Sequence, residues 1–431
     1  MAILEHYPKT TVKYKFINRN KDFKISFIAY KKLLQTILDL EGIQLLEDEY
    51  HYLRDACPYL SNEYLDYLKS FRFNPRSQIK TRFSPSSQID SKDNDKFVNI
   101  DSLQKNYDGD TLGGLDIEIS GKWAEVILYE VPLLALISEI YYVYVDKDWE
   151  KDMDLQRTLI RNKTERLLEN SCSFSEFGTR RRRSFLVQDA VVEELAKIRK
   201  TASQNAQPKA NSFSESNKDG VQKMGSILGT SNVYLAKKYG IPPSGTVGHE
   251  WTMGTAAIEK TFISGNKLAL YKWIATFKTN LGIALTDTFG IKSFFNNFDY
   301  FLANTFVGIR HDSGDPIALV DLSLSHYKKL GIDPSKKIIV FSDSLNADKA
   351  IQLQQICTSK GIGSAFGIGT NLTNDFVKSS NTSSVSPPLN IVIKLIECDG
   401  FGCVKLSDDP GKHTGPISDI QRAIHELRNI L

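Results

Sequence analysis

Cysteine is scarce in this chain: Cys57, Cys172, Cys357, Cys398 and Cys403 are the only five in 431 residues. A count that small and odd argues against a disulfide framework and for a reducing interior. Cys398 and Cys403 lack a matching second pair, so nothing argues for a zinc site. A large excess of either charge is missing too. The net charge of +3 is too small to argue for a nucleic-acid partner, and the basic residues that matter are clustered. Long uninterrupted apolar runs are also absent. The longest, Val126 to Val145, contains Glu130, Pro132 and Glu139. Those charges are costly in hydrocarbon, so a buried core segment is expected and no membrane partner. Met1-Ala2-Ile3-Leu4 runs straight into Glu5, His6 and Pro8, which reads as no signal peptide.

What is present is an ordinary globular composition, 41% hydrophobic and 24% charged. The length suits a barrel-sized domain with a smaller companion. Thr11 to Ile17 alternates as a half-buried strand, and Lys31 to Glu47 reads as helical. The stretch from Phe83 to Gly114 reads as a surface insertion, and Asp116 to Ser120 and Ala124 to Tyr129 as strands. From Cys172 onward strand-like runs are centred near Phe174, Ile227, Val247, Ile283, Ile309, Ile339, Phe366 and Val392. Between most of them lie helical stretches: Asp189 to Lys200, Thr252 to Lys278, Ser323 to Leu330 and Ala347 to Lys360. About eight β units with intervening helices predict an α/β chain built on an irregular (β/α) barrel, with active-site groups on the loops after the strands. Thr201 to Gly220 reads as an exposed loop.

Several strand ends carry chemistry. Phe174 to Glu176 leads into Phe177-Gly178-Thr179 and the run Arg180 to Arg183, whose guanidinium groups suit phosphate and carboxylate oxygens. A solvated basic turn is the plainer reading of four arginines, and the later ones can equally serve structural salt bridges. Gly367-Ile368-Gly369-Thr370-Asn371 can cradle a phosphate on bare backbone N–H groups, although a glycine turn after a strand is common. Ser342-Asp343-Ser344 adds hydroxyl donors, and Asp343 can hold a hydroxyl or a metal ion. Asp312 can accept from paired ribose hydroxyls beside the anion-binding Arg310, whereas Asp315-Pro316 reads as a helix cap. Among seven histidines His249 stands out, because Gly245 and Gly248 leave it open and Glu250 can orient its ring for nucleophilic or acid–base duty.

Taken together these strings resemble nicotinate phosphoribosyltransferase, in particular the fungal form. The resemblance rests on Phe174 to Arg183, Leu228-Gly229-Thr230-Ser231-Asn232, Gly245 to Trp251, Ala284-Leu285-Thr286-Asp287-Thr288-Phe289-Gly290, the Arg310, Ser342 and Gly367 loops, and Lys405 to Lys412. It implies an irregular barrel of the type II phosphoribosyltransferase kind, with a smaller α/β domain from the N-terminal part and C-terminal elements. The expected boundaries are 1–125, 126–390 for the catalytic barrel, and 391–431 returning to the first domain. It implies transfer of phosphoribose from 5-phosphoribosyl-1-pyrophosphate to nicotinate in NAD salvage, assisted by Mg2+ and driven by ATP through a phosphohistidine, His249. It further implies a nicotinate pocket of Phe177, Arg180, Ser231, Thr246 and Arg310. The phosphoribosyl pyrophosphate would meet Arg181, Asp312, Gly314, Ser342, Asp343, Ser344, Gly367, Gly369 and Thr370, with His249, Arg180 and Asp312 catalytic. In the similar nicotinamide enzyme an Asp occupies the Ser231 position; a serine can donate to nicotinate where a carboxylate would repel it.

The resemblance names no metal ligands. It allows a homodimer, because the site in relatives can lie at a subunit boundary, and equally a monomer. The cytoplasm is the expected location, with the nucleus as a second. Family members usually open with a Leu-Leu-Asp-Thr-Asp-x-Tyr-Lys-x-Thr-Met-like segment, and this chain begins at what resembles its final Met; Tyr7 stands too late to replace the motif's tyrosine. Two other readings stay open: a nicotinamide or quinolinate phosphoribosyltransferase, and a catalytically impaired relative that binds phosphoribosyl ligands.

Overall fold

The computed structural model describes residues 1–20, 22–86, 97–102, 107–205, 224–408 and 413–430. The N-terminal strands are β1 (Thr11–Asn18), β2 (Ile25–Ser26), β3 (Ile79–Pro85), β4 (Val98–Asn99) and β5 (Leu112–Lys122). Next come β6 (Phe174–Glu176), β7 (Ile227–Thr230), β8 (Ile283–Leu285), β9 (Gly308–His311), β10 (Ile338–Phe341) and β11 (Gly363–Ile368). The chain finishes with β12 (Phe376–Val377), β13 (Val385–Ser386), β14 (Ile391–Cys398) and β15 (Phe401–Gly402).

Two sheets organise the molecule. Strands β15-β14-β1-β5-β3-β4 form an antiparallel sheet, with β2 on β5. In β1 the alternation predicted from sequence holds, with Val12, Tyr14 and Phe16 buried and Thr11 and Lys13 exposed. Strand β14 returns from the far end of the chain to pair with β1, Phe16 against Ile393 and Asn18 against Ile391. The second sheet is parallel, in the order β7-β6-β11-β10-β9-β8, and a bridge from Thr230 to Pro243 extends its β7 edge. Helices 185–205, 316–329 and 347–360 follow β6, β9 and β10. Phe174, Ile309, Ile339, Phe341 and Phe366 bury in the core beneath them, as apolar runs in parallel strands do.

This is the irregular barrel, with six parallel strands among the described residues where eight units were expected. Val392 lies in β14 of the other sheet, because an apolar run announces burial and not which sheet it joins. Val247 sits in a loop whose carbonyl accepts from Arg310 Nη1 at 3.0 Å. Ala124 to Tyr129 forms helical turns instead of a strand. Trp123, Val126, Tyr129 and Leu133 are all buried, which is the spacing of one helix face. The helical stretch Trp123–Tyr144 is long and apolar enough to cross a membrane, and half of it is buried here. Leu133, Leu134 and Ile137 belong to the core under the antiparallel sheet.

The other helical expectations need smaller corrections. The one expected over 252–278 is two, His249–Ile258 and Gly265–Phe277. Lys260 has φ 56° between them, and Gly265 packs where a Cβ would lie 2.8 Å from Ala256 and Phe289. Lys31 to Glu47 divides into helix Phe27–Leu38, a tight turn at Asp39–Gly42, and the start of helix Glu47–Ala56. Thr201 to Asn205 continues helix Phe185–Asn205; the remainder of that expected loop, like residues 87–96 and 103–106 of the expected insertion, lies outside the described residues. All five cysteines are buried free thiols.

Candidate active site

The loops at the carboxyl ends of the parallel strands meet around His249. This residue opens helix His249–Ile258 and is 8% exposed. Its Nε2 stands 2.8 Å from Asp287 Oδ1 and 2.8 Å from Lys405 Nζ, with Asp312 Oδ2 at 3.7 Å. A neutral ring can satisfy only one of these through Nε2: with Nε2–H donating to Asp287 Oδ1, the Lys405 ammonium serves the other carboxylate oxygen instead. Asp287, on the loop after β8, is fully buried; its Oδ2 meets Lys405 Nζ at 2.7 Å and accepts from Ser313 Oγ at 2.6 Å. Ser407 donates in turn to Ser313 at 3.0 Å. Burial pushes the imidazole down to about 4 against the pull of Asp287, so His249 is neutral near pH 7. Burial opposes ionisation of Asp287 as well, but the adjacent His249 and Lys405 hold the carboxyl well below its usual range.

Beside this cluster Arg310 crosses between loops. Its Nη1 donates to Thr246 Oγ1 and the Val247 carbonyl, and Nη2 meets Asp312 Oδ2 at 3.1 Å. Arg310 Nε is a buried donor without a partner. Asp312 accepts from Ser342 Oγ at 2.6 Å and keeps a quarter of its side chain exposed. Burial is overcome there by Arg310 and His249, which depress the Asp312 carboxyl. Arg180, half exposed, pairs with Glu130 at 2.7 Å, and Glu130 with Asp312 and Glu250 raises its guanidinium's proton affinity. Arg181 donates from Nε to the Ile391 carbonyl at 3.1 Å, tying the arginine run to β14. Burial and the nearby Arg180 bring it down to about 10.

A third group surrounds the β6, β7 and β11 ends. The Phe177 ring lies over β11 so closely that a Cβ on Gly367 would be 2.5 Å from it. That contact explains Gly367 independently of any phosphate. Gly369 caps the short helix Thr370–Thr373 and lies under the Phe177 backbone. Ser231 Oγ is 2.7 Å from Thr179 Oγ1, and its N–H donates to the Glu176 carbonyl at 2.7 Å. Ser175 and Ser244 hydroxyls, 2.8 Å apart, connect this group to the Thr246 loop.

Other predicted residues take local roles. Gly314 has φ 80° and offers its carbonyl to His311 at 3.1 Å. Asp343 accepts from Ser344 at 3.1 Å, and Ser344 is exposed with φ 49°. Asp315 caps helix Pro316–Lys329 as read from sequence. Arg182 and Arg183 are structural: Arg183 is fully buried, donates to Ser386, and stacks 3.7 Å from the Tyr142 ring centroid. The expected orienting role of Glu250 falls to Asp287. Tyr7 is buried among Trp123 and Trp251, with centroids 5.7 Å from each.

Asp287, Lys405, Ser313 and Glu130 join the site without having been expected there. Asp287 had a usable signal, a short apolar run Ile283 to Leu285 ending in Thr-Asp-Thr. Lys405 had a fainter one, a lone charge between Val404 and Leu406.

An irregular parallel barrel that gathers arginines, acids and a histidine at its strand ends, with an antiparallel sheet completed by the returning β14, defines a type II phosphoribosyltransferase. The comparisons narrow this. The profile of the nicotinate phosphoribosyltransferase family matches residues 172–429, and that of the family's N-terminal domain matches 1–95. A Schizosaccharomyces pombe protein named as a probable nicotinate phosphoribosyltransferase is 42% identical over 99% of this chain and 94% of its own. The Saccharomyces cerevisiae nicotinate phosphoribosyltransferase is 38% identical over 99% of this chain and 91% of its own. A crystal structure from S. cerevisiae superposes with a TM-score of 0.86 at 37% identity, covering 99% of this chain and 94% of that one. The chain belongs to the nicotinate phosphoribosyltransferase family.

Proposed function

We propose that this chain joins nicotinate to 5-phosphoribosyl-1-pyrophosphate, releasing pyrophosphate and nicotinate mononucleotide for NAD salvage, with ATP hydrolysis through a phosphorylated His249. Family membership supports the transfer. One observation carries the phosphohistidine: Nε2 of His249 faces the buried Asp287 carboxylate at 2.8 Å, which keeps the ring proton on Nε2 and leaves the Nδ1 lone pair of a neutral ring as the nucleophile. Nδ1 would form a bond to the γ-phosphorus of ATP as the bond to the β–γ bridging oxygen breaks and ADP departs. Asp287, acceptor-only when ionised, holds the imidazole in place and offsets the charge that phosphorylation brings.

Transfer itself passes through a cation-like ribose and an anionic leaving group. Asp312 would receive the ribose hydroxyls, and Arg180 and Arg181 the departing phosphates. Phe177, fixed over Gly367, would stack on the pyridine ring, with Ser231, Thr246 and Arg310 around the carboxylate. The Ser342 to Ser344 and Gly367 to Thr370 loops would hold the 5-phosphate.

His249, Asp287 and Asp312 offer possible metal-ligand atoms within 4.8 Å of one another. The Lys405 ammonium already pairs with Asp287 at 2.7 Å and stands 2.8 Å from His249 Nε2, where it would repel a second cation. Asp312 also pairs with Arg310 but keeps a quarter of its side chain exposed, so of the three it is the carboxylate that could hold a Mg2+ ion. When bound, that ion supplies positive charge that offsets the leaving pyrophosphate.

The test is incorporation of label from γ-labelled ATP into an acid-labile, base-stable protein adduct. Wild-type chain is expected to form it. His249→Ala should form none and lose ATP hydrolysis coupled to product, while some ATP-independent transfer survives. Full coupling in His249→Ala would remove His249 from the mechanism.

A further inference from the structure

The direction of the Ser231 hydroxyl is set from deep inside the fold. Gln188, fully buried on helix Phe185–Asn205, donates from its amide nitrogen to Glu176 Oε2 at 3.0 Å and to Thr179 Oγ1 at 2.7 Å. Its oxygen accepts from Arg182 Nη1 at 3.1 Å and Asn232 Nδ2 at 3.1 Å. A guanidinium only donates, and an ionised carboxylate only accepts. A reversed amide would set N–H2 against Arg182 and a carbonyl against Glu176, so Gln188 has one orientation. Glu176 also accepts from Thr230 Oγ1 at 2.5 Å and the Gly178 N–H; burial raises its carboxyl against these donors, and the Arg182 guanidinium by itself fixes which end of the Gln188 amide is the oxygen.

Thr179, 8% exposed, therefore accepts from Gln188, and its own proton needs an acceptor. Ser231 Oγ at 2.7 Å is the one found among the described residues. The opposite polarity, Ser231 donating to Thr179, would leave the buried Thr179 proton unpaired. With Thr179 donating to it, Ser231 keeps its own proton free to turn outward.

We propose that Gln188 and Thr179 are positioning residues that make Ser231 a fixed hydrogen-bond donor toward the substrate, and thereby help select a pyridine carboxylate over a carboxamide. A carboxylate offers lone pairs to every donor around it. A carboxamide has a single oxygen, and each fixed donor leaves less room for its N–H2. The inference rests on the reading that Ser231 faces the pyridine substituent.

Three variants test it through one ratio, kcat/KM for nicotinate over kcat/KM for nicotinamide. Thr179→Val keeps the shape and removes the relay; the ratio is expected to fall by about three- to tenfold, within the worth of one charge-assisted bond. Thr179→Ser restores the hydroxyl and should stay within about twofold of wild type, an outcome a merely packing role would not give. Ser231→Ala should lower the ratio at least as far as Thr179→Val. If Ser231→Ala lowers it and Thr179→Val does not, the relay is wrong while the place of Ser231 stands. If Ser231→Ala leaves it unchanged, the placement of Ser231 falls and takes the relay with it. Should Thr179→Val lose turnover, the ratio of nicotinate and nicotinamide dissociation constants by calorimetry decides by the same criterion.

Discussion

Replacing Asp287 by Asn tests whether the His249 cluster is held by charge. The Asp287 side chain is fully buried and Lys405 only 9% exposed, with Nζ and Oδ2 2.7 Å apart. At that distance and an effective dielectric of ~20, the Coulomb attraction is of order 6 kcal/mol. Desolvation of both ions offsets most of it, so the net worth of the pair is small while the cost of breaking it is not. Asp287→Asn leaves a buried ammonium without its counter-charge, for which about 3–5 kcal/mol is expected. Lys405→Met leaves the carboxylate with His249 and Ser313, and should cost about 3 kcal/mol. The double variant removes both charges and should be destabilised by ~2–3 kcal/mol less than the sum of the singles. Urea unfolding at pH 7, with unchanged slope, reads all four proteins. Agreement of the double with the sum to within ~0.5 kcal/mol would refute the argument, because contacting ionic partners must couple.

Further outcomes follow from other contacts. Gly367→Ala drives a Cβ to within 2.5 Å of the Phe177 ring; displacing the ring should raise KM for nicotinate by about tenfold at a stability cost of about 1–3 kcal/mol. Equal KM in steady-state assays would contradict the proposed ring stacking. The unfolded imidazole of His249 takes up its proton near its ordinary 6.5 and the folded one only at about 4. Stability therefore falls as pH drops across that interval. Between pH 7 and pH 5 the stability advantage of wild type over His249→Asn should shrink by roughly 2 kcal/mol in urea titrations; a pH-independent gap would contradict the burial argument. Ser231→Asp should shift preference from nicotinate toward nicotinamide, and unchanged relative kcat/KM would discard the role of Ser231.

The strand ends were the legible part of this chain. The runs before Arg310, Ser342 and Gly367 are short, apolar and bounded by glycine or polar residues, and with the Phe174–Glu176 strand they lie on the parallel sheet. The alternation of β1 was equally plain. Val247 and Val392 misled because local apolarity records burial and not partner choice; β14 pairs with β1 across more than three hundred residues. The His249 cluster was half legible for a related reason. Glycines beside a histidine are visible locally, whereas its contacts to Asp287 and Lys405 span 38 and 156 residues. Glu250, the neighbour in sequence, was the natural choice, yet on a helix adjacent side chains point apart.

The central claim is most directly tested by mixing the purified chain with nicotinate, 5-phosphoribosyl-1-pyrophosphate and Mg2+, and quantifying nicotinate mononucleotide with and without ATP. Product is expected in both cases, with ATP carrying the reaction further toward completion, and loss of that ATP effect alone in His249→Ala. No product above an enzyme-free blank, or an ATP effect undiminished in His249→Ala, would contradict it.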